Sequence, residues 1–335
     1  MAVDMNVALQ DDGIEGLMLR VQSHIAQALQ VVQNSSQSSN RKHLVTLHKL
    51  QQGCARIVEE TPKGTKLVGE KIFNMSFTTG VIYRVLAAPK GLLWAERTCR
   101  FVASFVAFCV SNTKSANLNE EETLAFDDTA SRFTDQILKT LIKGMSATDK
   151  TVRFRSTQLT AQVITALPAI DEDIYERLKS SLLERANDKE MSIRLQSILA
   201  IAKLSSTDDK DVERALIQAM RHDKSAEIRR AGLLNCRLTP ETICPCIERV
   251  RDVDTLNRKA VFARFMHTAE AKTASSASQS SFDVFWRQRL DSLVHLLATG
   301  LRDRDESVKT VAKRLSINVV NSLTDQVTDF IRVSQ

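Results

Sequence analysis

The chain has 335 residues, of which 26% are charged, with a formal net charge of +6 and a sequence pI near 9.0. Aromatic residues are only 5%, and 10 glycines and 5 prolines are too few for the turns of a strand-rich fold. The composition therefore excludes an all-β class and points to an all-α chain rich in Leu, Ala, Arg, Lys, Gln and Glu. The basic excess permits a polyanionic partner without demanding one. The most apolar run, Phe101–Val110, is too short for a membrane span. Met1–Gln10 carries Asp4 and lacks an apolar run with basic flanks, so no secretory signal is expected. Six dispersed cysteines read as thiols of a reducing compartment.

In chain order, Glu15–Val32 and His43–Val58 are predicted helices flanking Asn34–Asn40, a Ser/Asn/Gln-rich linker. Thr61–Gly64 is a predicted turn, broken by Pro62 and Gly64. Helical text then runs to Arg84, stops at Pro89–Gly91 and continues over Leu92–Val110. Leu118–Asp128 is acidic and polar and is predicted as a loop. Later helices are predicted over Ser131–Lys143, Asp171–Ala186, Asp208–Arg221, Pro240–Val250 and Ser281–Leu301, with Pro240 in a first turn. Thr268–Ser280, rich in Ala, Ser and Thr, reads as an insertion between repeats.

From about Ser131 the text repeats: an acidic turn, then an aliphatic residue, then a basic one. The copies are Asp149…Val152-Arg153, Asp188…Ile193-Arg194, Asp223…Ile228-Arg229 and Asp303…Val308-Lys309, with a weaker one over Asp252–Arg258. Successive arginines lie 41 residues apart (153 to 194) and 35 apart (194 to 229), near the length of a HEAT repeat. The acidic residue is expected to cap the second helix of each pair. The aliphatic residue opens its buried stripe, as in Val308, Val311, Ala312 and Leu315. One such pair cannot bury both its faces, so neighbours must stack. The expected fold is an all-α HEAT-repeat solenoid of stacked antiparallel helix pairs. Residues 1–130 are expected to hold divergent amino-terminal repeats, 131–321 the regular array interrupted near 268–280, and 322–335 a C-terminal tail. Val319–Gln335 shows no capping sequence, so the chain is expected to be one end of a longer solenoid.

No enzyme, cofactor, metal or small-molecule substrate is expected. The six histidines (His24, His43, His48, His222, His267, His295) form no constellation with acids or cysteines. Cys236, Cys244 and Cys246 lack the usual zinc spacing and a fourth ligand, which favours buried thiols. Gly64–Lys71 echoes a phosphate loop, but Glu70 stands where such a loop needs Lys. That leaves the basic residues. Arg153, Arg194 and Arg229 share one repeat position and are expected to pair with the turn aspartates of adjacent repeats as an internal ladder. Lys63, Lys66, Lys71, Arg155, Arg230, Lys259, Lys313 and Arg314 are not explained by that ladder and are the candidates for phosphate contact. They have no stacking aromatics beside them, so the expected ligand is duplex backbone rather than single strand or base edges.

Several stretches resemble the G-type HEAT-repeat subunit of condensin: Glu96–Val106, Asp149–Arg155, Ile170–Ile174, Ser225–Ala231, Arg249–Arg258 and Asp303–Leu315. The likeness runs from about Ser76 to Leu315, and Asp252–Arg258 is its most specific part because it departs from the generic repeat. The resemblance implies a non-catalytic subunit that binds a segment of kleisin and, through it, associates with the paired SMC ATPase subunits. It also implies that subunit and kleisin together grip duplex DNA in a basic groove, without sequence preference, in support of mitotic chromosome condensation. The location implied is the nucleus and chromosomes, with the cytoplasm as the alternative. Members of that family are much longer, so this sequence would correspond to an amino-terminal lobe. The competing reading is a generic HEAT adaptor that binds only proteins.

Overall fold

A computed structural model describes residues 13–34, 40–62, 64–115, 120–204, 209–270 and 290–333. Contacts divide the chain into two compact units, Met1–Lys203 and Leu204–Gln335. Residues 130 and 131 lie within a continuous helix, Glu120–Met145.

The first unit begins with α1 (Gly13–Asn34) and α2 (Asn40–Ala55). A small hairpin follows, β1 (Glu59–Thr61) against β2 (Gly64–Lys66), antiparallel with Glu59 opposite Lys66. Gly64 turns it at φ +118°, a conformation closed to residues with a Cβ. Next come α3 (Val68–Phe77), a π-helical turn (Thr78–Ile82), α4 (Tyr83–Leu86), α5 (Leu93–Ser115), α6 (Glu120–Met145), α7 (Lys150–Thr165), α8 (Glu172–Arg185) and α9 (Met191–Leu204). Helix α6 packs on α8 while α5 packs on α7, and α6 also packs on α7. This is the two-layer stack of helix pairs expected of a HEAT-type solenoid. Four buried phenylalanines knit α3, α5 and α6 together: Phe73, Phe77, Phe105 and Phe133, with ring centroids 5.2–6.4 Å apart.

The second unit contains α10 (Lys210–His222), α11 (Ala226–Asn235), α12 (Pro240–Glu248) with a 3-10 turn (Arg249–Arg251), α13 (Thr255–Glu270), α14 (Leu290–Leu301) and α15 (Glu306–Val333). Helix α10 packs on α12, while α11, α13 and α15 pack in succession. The predicted stripe on α15 is buried at Val308, Ala312 and Leu315, with Val311 at its half-buried edge. Helix α14 can approach its neighbours because residue 300 is glycine: a Cβ there would collide with the Phe262 ring and with Ala312 Cβ.

Some expectations need correcting. The stretch predicted as a loop over Leu118–Asp128 is helical from Glu120 onward, as the start of α6. The tail predicted at 322–335 is helical as far as Val333, consistent with the apolar spacing of Val320, Leu323, Val327 and Phe330. The hairpin at 59–66 was not anticipated. The insertion near 268–280 lies mostly outside the described residues.

Candidate nucleic-acid interface

In four of the five repeat copies the turn that opens the second helix is built around an arginine. Arg153 donates to the carbonyls of Ala147 and Thr148, six and five residues upstream. Arg194 does the same to Asp188 and Lys189, Arg229 to Asp223 and Lys224, and Arg258 to Asp252 and Val253. The guanidinium thus ties down carbonyls that the loop leaves without helical partners. In Arg153, Arg229 and Arg258 the other edge reaches the next repeat. Arg153 Nε lies 2.9 Å from Asp188, Arg229 grips both oxygens of Asp252 at 2.8 Å, and Arg258 grips Asp303 at 2.8 and 3.1 Å. Two rungs of the expected ladder, Arg153 and Arg229, are thus in place, and Arg258 adds one that the weak repeat copy had obscured. In the last copy Lys309 stands in the arginine's place and turns back to Glu306 of its own helix at 3.0 Å.

The acidic turn residues act differently from expectation. Asp149 does cap α7, accepting from the N–H groups of Thr151 and Val152. Asp188, Asp252 and Asp303 instead accept from the N–H two residues on, in the loop, while receiving the arginine of the preceding repeat. Burial pushes the Asp252 carboxyl upward, but hydrogen bonds from Arg229, the Asp254 N–H and Asn257, with the Arg229 charge, together outweigh it and hold the group down to about 2. Asp188 and Asp303 are also raised by burial yet end below the ordinary carboxylate range through Arg153 and Arg258. A carboxylate whose pKa is depressed on folding stabilises the fold fully above its unfolded value of about 3.9. That stabilisation is lost as pH falls through the folded value. Thermal unfolding followed from pH 5 to pH 2 should therefore show stability dropping below about pH 4. An Asp252→Asn variant should start lower and fall less steeply over the same range.

The phosphate candidates divide sharply. Arg155 is wrongly placed on that surface: it is 0% exposed, inside the first unit. Its Nε donates to Ala88 O at 2.8 Å and its other nitrogens to Pro89 O, Glu96 at 2.5 Å and Gln158 at 2.7 Å. It therefore ties α7 to the break between α4 and α5, where it satisfies the carbonyls of Ala88 and Pro89. Arg230 is half-buried and bridges to Asp254 and Asn257 at 3.3 Å each, so it too contributes to packing between repeats. Lys66 is exposed on the hairpin, 3.6 Å from Glu59. Lys63 lies outside the described residues. Lys313 is exposed and 3.8 Å from Glu306, while exposed Arg314 and half-buried Lys259 form no ion pair among the described residues.

Lys71 is the candidate that acquires a setting. It lines a groove of about 590 Å³ between α3 and α6, together with Lys139 and Lys143. All three ammonium groups are exposed and without an ion pair among the described residues. In the same groove Arg132 forks onto both oxygens of buried Glu70 at 2.8 and 2.7 Å, which neutralises one of its two acids, the other being Asp135. Lys139 and Lys143 were not singled out in the sequence. Their i, i+4 spacing puts them on one helix face, but only the tertiary packing of α6 on α3 sets that face beside Lys71. Among the described residues no three His, Cys, Asp or Glu side chains come together as a metal site, and no helix is long and apolar enough to cross a membrane.

No protein-family model matches the chain. Condensin complex subunit 3 of Schizosaccharomyces pombe is 33% identical over 272 residues, covering 77% of this chain and 28% of that protein. The Saccharomyces cerevisiae protein of the same name is 29% identical over 326 residues, 92% of this chain and 29% of its own. The human one is 24% identical over 271 residues, 78% and 24%. The chain thus spans less than a third of the length of these curated relatives. Among solved structures, the crystal structure of the S. pombe condensin Cnd3–Cnd2 subcomplex matches with a TM-score of 0.63 at 28% identity, over 88% of this chain and 32% of that one. Stacked helix pairs and relatives bearing one name lead to the same place: this HEAT-repeat chain is similar in sequence and fold to condensin complex subunit 3.

Proposed function

We propose that the chain is a non-catalytic subunit of a condensin-type complex. It binds a kleisin segment and holds duplex DNA by its backbone, without sequence preference, in support of mitotic chromosome condensation on nuclear chromosomes. Its association with the SMC ATPase subunits is indirect, through kleisin. The kleisin part is supported by the similar S. pombe protein having been solved in a Cnd3–Cnd2 subcomplex, Cnd2 being the kleisin. The DNA part is supported by one observation above all, the row of Lys71, Lys139 and Lys143 along one groove, exposed and without an ion pair among the described residues. A duplex presents one phosphate every 1.7 Å of axis, and each phosphate neutralised by a lysine releases a counterion. Lys66 at the hairpin, and Lys259, Lys313 and Arg314 in the second unit, are secondary contacts in this reading.

The test is charge reversal at Lys71, Lys139 and Lys143, with duplex affinity measured over a salt series in the presence of kleisin. Losing three phosphate contacts should reduce the slope of log affinity against log salt by about 3. The effect should be equal on unrelated duplex sequences. Unchanged affinity and slope would remove the groove from the account. Kleisin binding with no duplex retention by the unaltered chain would favour the protein-only adaptor.

A further inference from the structure

We propose that Cys236 and Cys246 form an oxidation site, in which a small hydroperoxide converts two buried thiols to a disulfide linking α11 to α12. The two Sγ atoms lie 3.5 Å apart, and both side chains are fully buried. Cys236 ends α11 in an extended conformation, and Cys246 lies within α12, so the bond would join the two layers of the second unit. Met220 Sδ, 3.8 Å from Cys246, closes the pocket with a third sulfur. A disulfide has an S–S length of about 2.0 Å, so the thiols must close by roughly 1.5 Å.

The pair is also divided in acidity. The hydrogen bond with Cys246 holds the Cys236 thiol down, helped by the charge of Arg264, whose guanidinium also donates to Cys236 O at 2.6 Å. Cys246 is pushed up by the same shared proton. Elsewhere burial alone pushes Cys54 up to about 12, and burial dominates in raising Cys99 to about 12 against the nearby Arg155. Cys236 is therefore the nucleophile, because the thiolate is the reactive form. Its sulfur attacks one oxygen of hydrogen peroxide, the O–O bond breaks, and water leaves to give a sulfenic acid. The Cys246 sulfur then attacks the Cys236 sulfur, the S–O bond breaks and a second water leaves. Two thiols are oxidised by two electrons and one peroxide is reduced to two waters. Full burial of both sulfurs restricts the site to a reagent of that size.

The test treats the whole chain with hydrogen peroxide, unfolds and alkylates it without reduction, and digests it with trypsin, which cuts at Arg237 between the two cysteines. The expected product is one cross-linked peptide pair joining Cys236 to Cys246, lighter by two hydrogens and separated by reductant. Cys54, Cys99 and Cys109 should be recovered alkylated. Recovery of Cys236 and Cys246 both alkylated, or cross-links through Cys244 instead, would overturn the proposal. In a Cys246→Ser chain treated with peroxide while folded and then unfolded into dimedone, a sulfenic acid should be trapped at Cys236. Its absence from a folded variant would contradict the assignment of the nucleophile.

Discussion

Asp252→Ala should destabilise the second unit by about 3–5 kcal/mol, because it strands a buried guanidinium. Asp252 is 1% exposed at its side chain and Arg229 11%, and both aspartate oxygens are engaged at 2.8 Å. The same carboxylate accepts from Asp254 N–H at 2.9 Å, so its loss also frees the loop that starts α13. Amide hydrogen exchange is the appropriate measurement, since a chain of two units does not unfold in one two-state step. Protection in α11 and α13 should fall by roughly a hundred- to several-thousand-fold, at about 1.4 kcal/mol per decade. Protection in α7 and α8 should hold. Replacing both partners with apolar residues, Arg229→Met with Asp252→Leu, should cost less than the single change, because no unpaired charge is left behind. Equal losses in the single and double variants would mean that the pair itself is not what holds the two repeats.

Arg155→Ala should be equally severe in the first unit, at about 3–5 kcal/mol. The guanidinium is completely enclosed and satisfies two carbonyls at the Ala88–Pro89 break, while pairing with Glu96. Its removal leaves those carbonyls without a donor and opens a void beside Phe154, whose ring lies 5.4 Å from the guanidinium carbon. Arg155→Lys keeps the charge but not the fork of donors, so it should recover only part of the loss. The decisive comparison is with DNA. If Arg155→Lys retains its fold yet loses duplex affinity as Lys71→Glu does, Arg155 contacts phosphate and its structural assignment here is wrong.

These two arginines show where sequence was enough and where it was not. The ladder was legible because Arg153, Arg194 and Arg229 recur at one repeat position, and recurrence at a turn implies a partner recurring in the next turn. Arg258 was harder to see, since Asp252–Arg258 departs from the repeat, yet it forms the same contacts. Arg155 stands two residues after Arg153 and gives no sign of its burial. Its partners, Ala88 to Glu96, lie about sixty residues upstream, across an irregular break that no periodicity describes. Lys139 and Lys143 were missed for the converse reason. They look like any solvated helix face until α6 is laid beside α3. Local order is written in caps and spacing, whereas which cations remain unpaired depends on contacts distant in sequence.

The most direct test of the account is the equilibrium affinity of this chain for an arbitrary duplex, with and without the kleisin segment, from 50 to 200 mM salt. The account predicts binding that is strengthened by kleisin, indifferent to sequence and steeply weakened by salt, with a slope that falls when Lys71, Lys139 and Lys143 are reversed. No detectable duplex binding at the lowest salt with kleisin bound would contradict it.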